Sequence, residues 1–301
     1  MNKKAFLSEL PELEDLEAQD VFPIEYLRMF IAAEQEHGVR VGQPAFECYV
    51  IEFPELKRFL ERLCERPVDT VHHFQLIVKN EAHYATVGIL WGPNQEDRKA
   101  CLLEVSNDLK GFRVGFFLDN TKLFSKVFVV SGSRKTGLNS RGSSNLQNDN
   151  HSCFMFAFDH AIQLSQKSVF PHLESLLKAS DSHRPPSSLA SFTWEQMPIS
   201  MVRHAQSLKL IEQHARENHK DLASDYPIII GVNKQAGKFI NISISHLFEE
   251  KRQQTLFWLI KADEKIIQRV IANPVTAASL RKRPKQWISG LERQLWSCRS
   301  F

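Results

Sequence analysis

The sequence predicts an α+β fold, and three observations carry that prediction. Amphipathic helical periodicity opens the chain, a contiguous set of strand-length apolar runs follows, and helical periodicity returns after them. Strands alternating with helices of similar length would instead indicate a doubly wound sheet. The chain has 301 residues, 43% hydrophobic and 24% charged, the make-up of an ordinary globular protein with room for one large domain or two small ones. A net charge of +3 is near balance and argues for neither a nucleic-acid nor a membrane partner. Cys48, Cys64, Cys101, Cys153 and Cys298 are an odd set without a C-x-x-C pair or His-Cys spacing, so neither a disulfide framework nor a metal site is indicated, and a reducing cytosol is expected. The start, Met1-Asn2-Lys3-Lys4-Ala5-Phe6-Leu7, lacks the apolar core of a signal peptide, and no run approaches a membrane span.

Residues 8–20 are acidic and read as a leader or surface helix. Residues 23–33 and 54–64 read as amphipathic helices, each opened by a proline in its first turn. Strands are expected over 73–78, 83–91, 100–105, 113–118 and 126–131, followed by a polar loop from Ser131 to Asn145 whose Ser, Gly, Arg and Asn content is hard to bury. A helix runs from about 153 to 167, a surface loop covers 180–188, and a further helix covers 203–218. Residues 227–232 and 238–245 form a hairpin closed by Gln235-Ala236-Gly237, and the tail from Leu247 is helical and basic, densest at Arg281-Lys282-Arg283-Pro284-Lys285.

Within this frame Cys153 is the most informative residue. It ends the polar stretch Leu146-Gln147-Asn148-Asp149-Asn150-His151-Ser152 and begins the apolar helix. A helix N-terminus favours a thiolate through the macrodipole, and its unpaired N–H groups can cradle an oxyanion. Gln147, six residues upstream, can offer a side-chain amide to the same oxyanion, with Asn148 and Asn150 as substitutes. His83 opens one strand and Glu104 closes another, giving the chain order His, acid, Gln, Cys; His72 and His73 compete for the histidine role, and Cys101 for the thiol.

That order, with Tyr84 after the His, resembles the cysteine-protease clan that holds the SUMO and adenoviral proteases, and within it most closely the YopJ family of bacterial effector acetyltransferases. Leu102-Leu103-Glu104-Val105-Ser106-Asn107 is similar to that family's strand ending Phe-Glu-Pro-Ala-Asn, with Glu where the proteases usually carry Asp. Met197-Pro198-Ile199-Ser200-Met201-Val202-Arg203-His204-Ala205-Gln206-Ser207 is similar to its Leu-Pro-x-x-Phe-Tyr-Lys-His-Thr-Gln-Ser segment, and Gly231-Val232-Asn233-Lys234-Gln235-Ala236-Gly237-Lys238 to the strand and turn after it. The resemblance covers about residues 70 to 245 and is slight in the N-terminal third. The chain departs from the pattern with Ser152-Cys153-Phe154 for Glu-Cys-Gly, Arg203 for Lys and Ala205 for Thr, and Ser131–Asn145 looks like an insertion.

The resemblance implies a papain-like or SUMO-protease-like fold, with a central mixed sheet, flanking helices and a C-terminal helical regulatory region. The implied division is 1–40 as leader and helix, 41–245 as catalytic domain and 246–301 as regulatory region. It implies a triad of His83, Glu104 and Cys153, with Gln147 and the Cys153 N–H as oxyanion donors, that takes acetyl from acetyl-CoA to a Ser, Thr or Lys of a host protein, a signalling kinase among the candidates. It further implies activation by inositol hexakisphosphate held by Arg203, His204, Lys209, Arg281, Lys282, Arg283 and Lys285, and injection by a bacterial secretion system into the host cytoplasm. Two readings of another class stay open on the residues alone: a deubiquitinase or deSUMOylase with the same triad, and a silent scaffold that binds a host kinase.

Overall fold

The computed structural model describes residues 22–42, 46–65, 68–132, 145–180, 189–233 and 237–272, together with Lys3, Phe6, Leu7, Leu10 and Pro11. The run Arg281–Lys285, most of the acidic stretch 8–20, and residues 133–144 and 181–188, where loops are expected, lie outside these residues.

A six-stranded mixed sheet organises the chain, its strands adjacent in sequence order: β1 (Cys48–Glu52), β2 (His72–Asn80), β3 (His83–Trp91), β4 (Lys99–Leu103), β5 (Lys126–Ser131) and β6 (Leu189–Thr193). β2, β3 and β4 form an antiparallel meander; β1 joins β2, β4 joins β5 and β5 joins β6 in parallel. Parallel neighbours need crossovers, and helices supply them. Around the sheet lie α1 (Ile24–Arg40), α2 (Phe53–Cys64), α3 (Leu109–Asn120), α4 (Cys153–Gln166) and α5 (Phe170–Ser180).

Strand alternation divides the core into two layers. Phe74, Leu76, Val78, Val87, Ile89 and Leu102 face α2 and α3. Cys48, Val50, Ile77, Cys101, Leu103 and Phe128 face α4 with α1 behind it. α4 is apolar nearly all round because it is covered on both sides, by the sheet and by the outer helices. After β6 come α6 (Ile199–Val202), α7 (Leu208–Glu217), α8 (Leu222–Asp225), a separate hairpin of β7 (Ile230–Asn233) and β8 (Lys238–Asn241), and two helices, α9 (Ser243–Lys261) and α10 (Glu264–Ala272), that pack on α1.

The structure corrects the sequence expectation at four places. Residues 113–118 are helical within α3, not a strand: Asp108 caps the helix by accepting from Lys110 N at 2.7 Å, and Gly111, Val114, Gly115 and Leu118 turn one buried face to the sheet. The expected helix 203–218 is broken, since Ser207 caps α7 by accepting from Leu210 N and the residues before it fold against another loop. The second hairpin strand stops at Asn241, where α9 soon begins. β1 and β6 are strands that the sequence pattern does not reveal: β1 is a short apolar run with four consecutive buried residues that does not alternate, and β6 is a five-residue edge strand in which only Ala190 and Phe192 are buried.

Candidate active site

β3 and β4 are antiparallel, so the beginning of one lies beside the end of the other. His83 is the first residue of β3, and Glu104 directly follows β4, which places both at the same end of the sheet and on the α3 side. His83 Nε2 lies 2.9 Å from Glu104 Oε2, with both side chains buried. The second carboxylate oxygen accepts from Ser106 N (3.0 Å), Ser106 Oγ (3.1 Å) and Asp108 N (3.3 Å). Its main chain is fixed as well, through Val130 O and the Trp194 indole. Glu104 is therefore aimed at His83 by contacts to everything except His83.

Cys153 is the first residue of α4 and is 5% exposed. Its Sγ lies 3.9 Å from Ala82 O, beside the residue that precedes His83. Burial alone would lower the His83 pKa. Hydrogen bonds with the Cys153 sulfur and the Glu104 carboxylate, together with their charges, outweigh it and push His83 up to about 10. The structure thus brings His83, Glu104 and Cys153 together. His72 and His73 stand at the other end of the sheet, since His72 pairs with Trp91, and burial lowers His73. Cys101 is buried under α4 and its pKa is pushed well up by desolvation. Neither alternative meets the reactive cluster.

The loop before Cys153 is tightly bonded. Gln147 N donates to Val105 O at 3.0 Å, and its side-chain Nε2 donates to Asp149 O (3.0 Å) and Asp149 Oδ1 (3.1 Å), leaving Gln147 Oε1 buried without a partner among the described residues. Both amide hydrogens that an oxyanion would need are therefore engaged by Asp149. Phe154, in the place where the resembled pattern has Gly, sends its ring away from the site. It stacks on Phe22 at 3.9 Å between centroids and meets Phe248 edge-on, while Tyr84 Oη donates to Phe22 O at 2.6 Å. The residue after Cys153 and the residue after His83 thus grip the same point ahead of α1.

Gly111 of α3 shows how closely the helix covers the histidine. A Cβ there would sit 1.5 Å from Glu104 Oε2 and 3.1 Å from His83 Nε2. The sequence assigns no role to Gly111 or Asp149, and Gln206 enters only as part of the resembled segment 197–207; the glycine spacing within α3 hints at Gly111.

Of the residues expected to hold a polyanion, Arg203 is half-buried with Nε unpartnered among the described residues, and Lys209 is exposed. His204 is buried, its Nδ1 is 3.1 Å from Ser243 Oγ, and desolvation with Arg203 and His160 nearby pushes its pKa down to about 3, so without a ligand the ring is neutral. Among the described residues there is no group of three or more His, Cys, Asp or Glu that could hold a metal, and no helix long and apolar enough to cross a membrane.

No protein-family model matches the sequence, and no curated protein matches it. Solved structures do. A single-residue deletion variant of AvrA, bound to IP6 and CoA, is 14% identical over 87% of this chain and 100% of its own, with a TM-score of 0.55. HopZ1a in complex with IP6 is 11% identical over 78% of this chain and 84% of its own, with a TM-score of 0.52. The chain has the fold of the YopJ-family effectors. At these identities the likeness concerns architecture: the YopJ fold is built here on largely different side chains.

Proposed function

We propose that this protein is an effector acetyltransferase that carries acetyl from acetyl-CoA through a thioester on Cys153 to a Ser, Thr or Lys of a host protein. The observation that carries the reading is the convergence of Cys153, His83 and Glu104 at the N-terminus of α4, within a fold of the YopJ type. His83 takes the thiol proton, and Glu104 orients the ring and balances the charge it gains. The sulfur attacks the acetyl carbonyl carbon, the bond to the CoA sulfur breaks, and His83 returns the proton to the departing thiol. The acceptor hydroxyl or amine then attacks the acetyl-enzyme with His83 again as base, and Cys153 is regenerated.

Charge developing on the carbonyl oxygen is met by the Cys153 N–H and by Gln147, which must exchange one of its bonds to Asp149 for the oxyanion. The CoA in the AvrA structure supports acetyl-CoA as donor, and the IP6 in both neighbours supports inositol hexakisphosphate as activator. Arg203 and exposed Lys209 fit such a polyanion by charge, with Arg281, Lys282, Arg283 and Lys285 as further cations, and His204 fits as a ring N–H donor. Entry into host cytoplasm through a bacterial injection system belongs to the same reading.

The test is incubation with radiolabelled acetyl-CoA, with and without inositol hexakisphosphate, in the presence of host-cell protein. Label should reach protein only with intact Cys153 and rise with the polyanion. Cleavage of ubiquitin-like conjugates without any acetyl transfer would overturn the proposal in favour of a protease.

A further inference from the structure

We infer that Gln206, acting with Asp149, is the positioning residue that holds the Cys153 loop in register. The inference rests on the reading of Cys153 as nucleophile. Gln206 is 1% exposed and sits where the expected helix breaks between α6 and α7. Its Oε1 accepts from Asn148 N at 2.6 Å and Asp149 N at 3.0 Å. Its Nε2 donates to Asp149 Oδ2 and reaches Ser152 Oγ at 3.4 Å, and its main-chain N donates to Leu146 O at 2.7 Å. One residue, 54 positions from Ser152 in sequence, therefore engages four residues of the segment that delivers the thiol.

Asp149 passes these constraints onward. Its Oδ1 accepts from His151 N (3.1 Å) and Ser152 N (2.8 Å), and its Oδ2 from Ser152 Oγ (2.6 Å), which fixes the residue immediately before Cys153. Burial would raise the Asp149 pKa, but His151, Ser152 and Gln206 together lower it, so the carboxylate form is the one the loop is built around. On its other side Gln206 O accepts from Asn241 N at 3.2 Å, and Asn241 Oδ1 accepts from Ile229 N and Ser243 N. The clamp thus ties the loop to the base of the β7–β8 hairpin and the start of α9.

The chemistry demands an amide. The loop presents two N–H donors and one carboxylate oxygen to a single side chain, and Asn or Gln offers an oxygen with two lone pairs for both donors and an N–H on the same planar head, where a histidine nitrogen has one lone pair. A leucine of similar volume would leave both N–H groups without this acceptor in a buried setting and leave Asp149 Oδ2 only its bond from Ser152 Oγ and the nearby His151, and a glutamate would set one carboxylate against another.

That polarity gives a test with a rescue. Gln206→Glu alone, and Asp149→Asn alone, each create a mismatch; the double variant reverses donor and acceptor and restores it. The readout is the rate at which iodoacetamide alkylates Cys153, followed by mass spectrometry of the peptide that holds it so that exposed Cys64 is counted apart, since it needs no assumption about substrate. Each single variant should slow alkylation by about tenfold or more by pulling Cys153 out of register with His83, and the double variant should regain most of the loss. Gln206→Glu should also recover as pH falls and its carboxyl gains a proton. If Gln206→Glu fails to fold, the double variant must still outpace Asp149→Asn. A double variant no faster than either single, or single variants at the wild-type rate, would overturn the clamp. Acetyl transfer measured on the same samples separates the two ideas: a wild-type protein that alkylates but never acetylates removes the proposed function, and the alkylation series still judges Gln206.

Discussion

Replacing Gly111 with alanine is the sharpest single probe of the site. In an ordinary helix this change stabilises, because glycine costs about 1 kcal/mol relative to alanine. Here the new Cβ would meet Glu104 Oε2 at 1.5 Å, Glu104 Cδ at 2.6 Å and His83 Nε2 at 3.1 Å. Carbon and oxygen need roughly 3.3 Å, so the carboxylate or the helix must shift by nearly 2 Å. The carboxylate is not free to swing, since its other oxygen holds Ser106 N, Ser106 Oγ and Asp108 N, and the residue is wholly buried. Overpacking of this kind costs about 1–3 kcal/mol, and each surrendered hydrogen bond to a charged group about 1.5–3 kcal/mol. Gly111→Ala should therefore lose about 3–5 kcal/mol in urea melts instead of gaining one, the range found when a buried ion pair is broken. The rate of acetyl-enzyme formation should fall by about 10²-fold, the usual penalty for a misplacement above 1 Å. Gly115→Ala is the control: its Cβ would meet Leu102 Cδ2 at 3.0 Å and Val129 Cγ2 at 3.3 Å, side-chain ends that can yield, so it should stay within about 1 kcal/mol and keep the rate. A Gly111→Ala protein as stable and as fast as wild type would refute the close packing of α3 on the His83–Glu104 pair.

Glu104→Gln removes a partner that holds His83 up to about 10. A raised histidine stabilises fully below its unfolded value of about 6.5 and loses that contribution as pH climbs through about 10, so the stability gap to wild type should narrow with rising pH; a gap that is flat in pH-resolved melts contradicts the pairing. His160 and His204 shift the opposite way, to about 4 and about 3, chiefly through burial. Their contribution is present above about pH 6.5 and lost on acidification, so His160→Gln should lessen acid destabilisation by roughly 2–3 kcal/mol near pH 4.5; an unchanged acid limb would mean the ring is not held neutral. Phe154→Ala should cost about 3–5 kcal/mol by emptying the stack with Phe22 and Phe248, and a change under about 1 kcal/mol in a urea melt would show that the ring does not anchor α4. Gln147→Ala should lower the acetyl-transfer rate by roughly 10²- to 10³-fold with little change in KM, and an equal effect on both would remove it from the oxyanion hole.

What is legible in the sequence follows from how local each signal is. The meander β2–β3 and the helix after Cys153 are readable because their patterns are long and continuous. Cys153, His83 and Glu104 stand out by order and spacing, which survive without any knowledge of contacts. Residues 113–118 of α3 read as a strand because Val114, Phe116 and Phe117 suggest one when taken locally; the reason for the glycines lies in what α3 packs on, Glu104 for Gly111 and Leu102 for Gly115. The neutrality of His204 is equally hidden, since desolvation depends on what packs around a ring and not on its neighbours in sequence. Asp149 escapes notice because a polar residue in a polar loop looks solvated, and Gln206, though inside the resembled segment and the expected helix 203–218, shows no link to that loop until the two, 57 residues apart, are seen side by side.

The central claim is that Cys153 carries the acetyl group. Brief incubation with acetyl-CoA and inositol hexakisphosphate, acid quench, and tandem mass spectrometry of the peptide spanning Cys153 measures it directly. A hydroxylamine-labile acetyl thioester should appear on Cys153 and be absent from His83→Ala. Acetylation that persists in Cys153→Ala, or an acetyl group found first on Cys64 or Cys101, would contradict it.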